Sequence, residues 1–224
     1  MSKTSETLMA MYRATRERLG HQDWWPGETP LEICLGAILT QNTNWKNVEK
    51  ALANLKAAGL MSVGALHGAD AAKLAELIRP AGYFNVKARR LKNFIRHLWE
   101  FSGDDLARFL DRPVSVLREE LLSINGVGRE TADSIILYAA GKLTFVVDAY
   151  TYRILLRHRL IAPEDDYEAI KELMESAMPT DVELWNDYHA QLVAVGKEFC
   201  RPVARCGGCP LEGFPHDPRG GCAE

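Results

Sequence analysis

Four of the five cysteines lie in the C-terminal tail: Cys200, Cys206, Cys209 and Cys222, spaced C-x5-C-x2-C-x12-C. Four thiolates hold either an iron–sulfur cluster or a structural zinc, and spacing alone leaves both open. Upstream, LLSINGVGRETADSIILYAAG reads as two helical runs joined by the turn INGVG. Gly126 and Gly128 permit positive φ and keep the backbone bare. The second helix starts just after them, so its first N–H groups and positive dipole end point out of the turn. That is an anion site able to take a phosphate through Gly126, Val127, Gly128 and Arg129 without reading a base. A tight turn between helices uses glycines in the same way, so the pattern alone does not decide. Asp148 follows the apolar Phe145-Val146-Val147 and precedes a helix starting at Ala149, which by chemistry alone makes it an N-cap.

These residues need a scaffold, and the periodicity predicts an almost wholly helical one. Pro30 to Leu39 suits a buried helix. Val48, Leu52 and Leu55 recur at helical spacing, with Gly59 as a C-cap. Asp70 N-caps AAKLAELI, which Pro80 stops. Leu91, Phe94, Ile95 and Leu98 form one stripe, and the accompanying Lys87, Arg89, Arg90, Lys92 and Arg96 read as a solvated face. Val116, Leu117, Leu121 and Leu122 mark a helix ending at Asn125-Gly126. The next runs from about Arg129 to Gly141. Thr144 to Val147 reads as an extended connector, and helices follow near 149–160, 166–177 and 182–198. Cys34 sits in an apolar helix as a small hydrophobe.

Net charge is −3 and the pI about 6.1, so any nucleic-acid site must be a local basic patch on a mildly acidic body. No run has the length and apolarity of a membrane span. The start, MSKTSETLMAMYRATRERL, is a polar tail and an amphipathic helix without the apolar core of a signal peptide. The expected location is therefore cytoplasmic. In that compartment clustered cysteines are metal ligands more often than disulfides.

The hairpin followed by FVVDAYTYR resembles the helix-hairpin-helix and Gly/Pro…Asp motif (HhH-GPD) of the endonuclease III superfamily of DNA glycosylases. LGAILTQNTNW, RPAGYFNVKARRL and the cysteine tail are similar to that family too, and the resemblance covers roughly residues 22–210. It implies an all-α, two-lobed helix-hairpin-helix glycosylase fold with a C-terminal iron–sulfur cluster loop. One domain, 28–138, would be a helical barrel with the hairpin. Residues 1–27 and 139–224 would form the second lobe, with the metal loop at 200–222. The resemblance places Asp148 on the family's catalytic carboxylate, which stabilises positive charge building on the sugar or activates the attacking water. It also implies a [4Fe–4S] cluster, with zinc as the alternative. The family spacing is C-x6-C-x2-C-x5-C, so this tail departs from it most at Cys222. Arg201 and Arg205, between the first two ligands, would meet the phosphate backbone or remain ordinary surface arginines.

Bifunctional members of the superfamily carry a lysine two residues after the second hairpin glycine, where this chain has Glu130. A carboxylate forms no imine, so the resemblance implies a monofunctional glycosylase without an efficient lyase step. The segment WWPGETPLEICLGAILTQNTNW is most similar to endonuclease III-like 3-methyladenine glycosylases. In those, aromatics at the positions of Trp25 and Trp45 sandwich the flipped base, Gln41 fills the gap in the duplex, and Glu130 is shared. Tryptophans otherwise pack cores. Stacking on indole suits a cationic methylated purine. The expected partner is double-stranded DNA with a flipped damaged base, met by a monomer. The rivals are a mismatch or oxidised-pyrimidine glycosylase of the endonuclease III type and, from another class, a non-catalytic DNA-binding iron–sulfur protein.

Overall fold

The computed structural model describes residues 2–220. Among them the chain forms α-helices and no strand. In chain order these are α1 (Lys3–Leu19), α2 (Pro30–Leu39), α3 (Trp45–Ala57), α4 (Val63–Gly68), α5 (Ala71–Leu77), α6 (Phe84–Ser102), α7 (Leu106–Leu110), α8 (Val114–Ser123), α9 (Arg129–Ser134), α10 (Ala149–Arg157), α11 (Tyr167–Ala177) and α12 (Val182–Glu198). None is long and apolar enough to cross a membrane. The chain divides into two compact units, Met1–Trp25 with Leu143–Glu224, and Pro26–Lys142.

In the unit Pro26–Lys142, α2 is the central helix. Leu31, Cys34, Leu35, Ala37, Ile38 and Leu39 are all buried, so α2 has no solvated face. It packs on α3, α6 and α9 and on a wider π turn, Ile135–Ala139, that continues α9. Thr29 caps its start by accepting from the Glu32 N–H at 3.2 Å, and the Glu32 carboxylate reaches back to the Glu28 N–H at 2.7 Å. The α3 helix ends as expected: Gly59, at φ +70°, donates to the Lys56 carbonyl, and Leu60 donates to that of Leu55. Asp70 caps α5 through the N–H groups of Ala72 and Lys73. On α8, Leu117 and Leu121 are buried, whereas Val116 and Leu122 stay exposed.

The charges of α6 correct the sequence reading. Leu91, Phe94, Ile95 and Leu98 are buried as expected, and Arg89 and Arg96 are solvated. Lys87, however, is 1% exposed. Its ammonium donates to the Leu39 carbonyl at 2.9 Å and the Ala81 carbonyl at 2.7 Å. Lys92 donates to the carbonyls of Leu66, His67 and Ala69 at 2.7–3.1 Å. Helix ends expose carbonyls that lack intrahelical partners, and these cations satisfy them.

In the other unit α12 packs against α10 and α1. The polar start is not a tail but the first turn of α1, capped by the Ser2 side chain. Thr144 to Val147 lies in neither helix nor strand, and Phe145 and Val146 are buried. Asp187, 2% exposed, accepts from Tyr12 Oη and Arg16 Nη1, each at 2.9 Å, and from the Gln22 N–H at 3.0 Å. Burial pushes its carboxyl up, but the Gln22, Tyr12 and Arg16 donors outweigh it and hold it below the usual carboxylate range.

Burial and the neighbouring Arg90 lower the Lys87 ammonium from 10.5 to about 8. Lys87→Met should leave two carbonyls short of a donor and destabilise the fold by about 1–3 kcal/mol. Between pH 8 and 10.5 the folded state binds fewer protons at this group than the unfolded chain. The wild type should therefore gain stability relative to Lys87→Met as pH rises through that window, by at most about 1.4 kcal/mol per pH unit. Denaturant titrations of both proteins at pH 7 to 10 check this, and a difference independent of pH would refute it.

Candidate active site and nucleic-acid interface

The hairpin is built from α8, the turn Ile124–Gly128 and α9. Its outer residues Ile124 and Val127 are buried and anchor it, with the Val127 N–H on the Ile124 carbonyl at 3.0 Å. Arg118 on α8 grips Asp133 on α9 through two parallel bonds, Nε–Oδ1 at 2.8 Å and Nη2–Oδ2 at 3.1 Å. Asp133 is fully buried, so this bidentate pair fixes the angle between the two helices.

The two glycines play different parts. Gly126 sits at φ +102°, and a Cβ there would lie 2.3 Å from Arg90 Cγ. Gly128 does not use the positive φ open to it: its φ is −95° and ψ 178°. Any residue adopts that backbone; a Cβ at Gly128 would meet nothing within 4 Å. Gly128 is the N-cap of α9 and offers no side-chain cap, and Arg129 and Glu130 follow on an exposed first turn. The hairpin thus presents bare backbone outward at Gly128 and packs it inward at Gly126.

Gln41 lies against the same hairpin. Its Nε2 donates to Thr131 Oγ1 at 2.9 Å and the Gly126 carbonyl at 3.3 Å, and its Oε1 accepts from Arg90 Nη1. Lys87, one turn before Arg90, holds Leu39 two residues before Gln41. Trp45 opens α3, half-buried, behind the Asn44 cap. Sequence reading missed Lys87 and Arg90 because it gave both to solvent. The signal was present for Lys87, which extends the Leu91–Leu98 stripe by one turn, at i−4.

In the other unit Asp148 does cap α10. Its Oδ1 accepts the Thr151 N–H at 2.7 Å, while Oδ2 is 3.7 Å from His189 Nε2. The Asp148 side chain is 12% exposed and that of His189 4%. Burial lowers the His189 pKa, and Lys197 reinforces the effect; the Asp148 carboxylate opposes them. His189 is therefore a neutral imidazole at neutral pH. Lys197 Nζ lies 5.0 Å from the Trp24 ring, and Trp24 stands edge-on to the half-buried Trp25 at 5.5 Å. One oxygen of Asp148 is thus fixed by a helix end and the other is turned toward a dry, uncharged neighbour. Such a carboxylate can stabilise a developing cation or accept a proton from water. His189 was not anticipated. It falls on the apolar face of α12 with Trp185, Leu192 and Val195, where a titratable residue is the anomaly.

Cys200, Cys206 and Cys209 line one pocket at the end of α12, together with apolar side chains of Ile154, Phe199 and Leu211. Cys222 lies outside the described residues. Arg157, buried, donates to Cys200 Sγ at 3.2 Å and to the carbonyls of Arg201, Pro202 and Gly220 at 2.7–3.0 Å. Among the described residues no three donors already close on a common point as a bound metal would require. The donor chemistry nevertheless fits a thiophilic group: three thiols share a largely apolar pocket with a cation behind one of them. Metal sites of this kind assemble as the metal binds. Arg201 and Arg205 are exposed on the same loop. Cys34 is fully buried and its thiol pKa is raised by burial, as fits a small hydrophobe.

The model of the HhH-GPD superfamily of base excision DNA repair proteins matches residues 35–180, which span the hairpin and Asp148. The chain belongs to that family. A Methanocaldococcus jannaschii protein provisionally described as a DNA repair glycosylase is 48% identical over 211 residues, 93% of this chain and 96% of the relative. The solved structure of an H. pylori 3-methyladenine DNA glycosylase bound to 1,N6-ethenoadenine is 29% identical with a TM-score of 0.75, covering 88% of this chain and 98% of that one. A non-covalent endonuclease III–DNA complex matches the fold at TM-score 0.81 and 19% identity, with 98% of both chains covered. The all-α helix-hairpin-helix glycosylase fold is thereby shown, and membership of the family supports base excision repair DNA glycosylase activity.

The two glycines give a paired test. Gly126→Ala should cost about 1–3 kcal/mol of stability through overpacking against Arg90. Gly128→Ala should keep the melting temperature, because its φ and surroundings accept a Cβ, yet weaken binding to undamaged duplex if a phosphate approaches that backbone. Equal stability of the two variants would contradict this geometry.

Proposed function

We propose that this glycosylase is monofunctional, hydrolyses the N-glycosidic bond of alkylated purines such as 3-methyladenine, and uses Asp148 as its catalytic carboxylate. The observation that carries the reading is Asp148 itself, with one oxygen held by the first turn of α10 and the other beside neutral His189. As the bond from C1′ to the base breaks, its electron pair stays with the base nitrogen and positive charge builds on the sugar. Asp148 stabilises that charge and takes the proton released when water adds to C1′. A methylated purine carries its own positive charge and leaves neutral, so no strong acid is needed.

The substrate class draws support from Trp25 and Trp45, whose π-faces suit a cationic base, and from similarity to the H. pylori enzyme, named for 3-methyladenine. Glu130 supports the monofunctional reading, since its carboxylate offers no amine for a Schiff base. Duplex DNA with a flipped damaged base is the proposed partner, approached by a monomer through the hairpin at Gly126–Arg129, with Gln41 filling the gap. Cys200, Cys206 and Cys209 would supply three ligands of a [4Fe–4S] cluster, zinc being the alternative. Such a group would stiffen the loop that carries Arg201 and Arg205 toward the phosphate backbone.

Asp148→Asn should abolish most single-turnover excision while leaving duplex binding nearly intact; normal excision by this variant would sink the assignment. Borohydride added during turnover should trap no covalent protein–DNA adduct, and strong trapping would show that an amine does the chemistry. Trp45→Ala should slow release of 3-methyladenine by the loss of about 1–3 kcal/mol of stacking, with Trp45→Phe close to wild type. An enzyme that ignored methylated DNA but removed thymine or uracil opposite guanine would be a mismatch glycosylase instead.

A further inference from the structure

We propose that the fourth protein ligand of the metal site in the cysteine loop is the His216 imidazole, through Nε2, in place of a fourth thiolate. The inference rests on the reading above that this loop holds a metal group, a [4Fe–4S] cluster in the first instance. His216 lines the same pocket as Cys200, Cys206 and Cys209.

The loop brings it there by its own hydrogen bonds. The Cys209 N–H donates to the Cys206 carbonyl at 2.9 Å, Glu212 to Cys209 at 3.0 Å and Phe214 to Leu211 at 3.1 Å. Leu211 is 1% exposed and anchors this turn. Just beyond His216, the Asp217 N–H is tied to the Arg157 carbonyl at the end of α10, at 2.8 Å. His216 is therefore held from both sides.

Its ring is also oriented for ligation. Nδ1 lies 2.8 Å from the Phe214 carbonyl oxygen. A carbonyl only accepts, so Nδ1 carries the proton and Nε2 carries the lone pair. Metal-bound histidines are set up in this way, with the second ring nitrogen donating to a backbone carbonyl or carboxylate. The other imidazole on the pocket, His158, packs on His216 at 5.4 Å, and its Nδ1 lies 3.1 Å from the Pro215 carbonyl. His158 thus holds the backbone just before His216 and backs its ring. An imidazole in place of a thiolate makes the bound group less negative by one charge, which raises the reduction potential of an iron–sulfur cluster.

The test uses the full-length protein purified anaerobically, with iron, sulfide and zinc analysis, visible absorption and electron paramagnetic resonance, and far-UV circular dichroism as the folding control. Cys222→Ala should keep about four irons per chain and the wild-type spectrum. His216→Ala should lose at least one iron, while His216→Cys should restore the full complement at a lower reduction potential. The proposal is overturned if Cys222→Ala strips the group while His216→Ala retains it, or if His158→Gln rather than His216→Ala causes the loss. If the wild type carries zinc without iron, the cluster reading fails, and the same variants scored by zinc content decide the ligand. A wild-type protein that takes up neither metal overturns both.

Discussion

Every helix end leaves carbonyls or N–H groups without intrahelical partners, and in a chain made almost wholly of helices and tight turns those groups are the dominant polar liability. Where such ends are buried, water cannot meet them, and this chain brings cations inside to do so. Lys87 joins the end of α2 to the turn at Ala81, and Lys92 closes the end of α4. Arg157 gathers the carbonyls of Arg201, Pro202 and Gly220. The contacts of Lys87 and Arg157 lie at the foot of functional segments. Lys87 fixes the Leu39 carbonyl two residues before Gln41, and Arg157 ties three carbonyls of the cysteine loop.

The opposite helix ends are treated in two ways. Most N-termini carry a side-chain cap, such as Thr29, Asn44, Asp70, Asp166 and Asp181. The α9 terminus instead has Gly128, which leaves its backbone accessible. Asp148 caps α10 through Oδ1, as Asp70, Asp166 and Asp181 cap their helices, but its Oδ2 faces His189. The cap is worth about 1 kcal/mol to the helix, but its greater effect is to fix the carboxylate without consuming it. Placing a reactive group at a helix N-terminus makes scaffold and site share the same atoms.

Two polar networks then set local geometry. In one unit the Arg118–Asp133 pair fixes the hairpin angle while Arg90 and Gln41 pack on its inner face. In the other, His189 stays neutral beside Asp148 because its burial outweighs the carboxylate's attraction. A protonated imidazole there would already neutralise the charge that the proposed reaction calls on.

Much of this was legible in the sequence. Apolar spacing located the longer helices because a 3.6-residue period is imposed by the backbone itself, but it passed over the short α4 and α7. Asp70, Gly59 and Asp148 declared their caps because capping depends on neighbours only a few residues away. The hairpin and the residues after it carried the family, since that motif is local and contiguous. Glu130 stands where the resemblance places a lysine in bifunctional members, and a carboxylate forms no imine. The tertiary structure decided what depends on distant partners. Lys87 looked like a solvated charge until the carbonyls of Leu39 and Ala81 were seen to surround it. Gly126 and Gly128 looked alike until Arg90 filled the space over one of them only. His189 and His216 were unremarkable histidines until folding set one beside Asp148 and the other on the pocket that the three thiols line. A sequence fixes each residue's chemistry and its helical register, but burial and pairing arise only when segments far apart in the chain exclude the water between them.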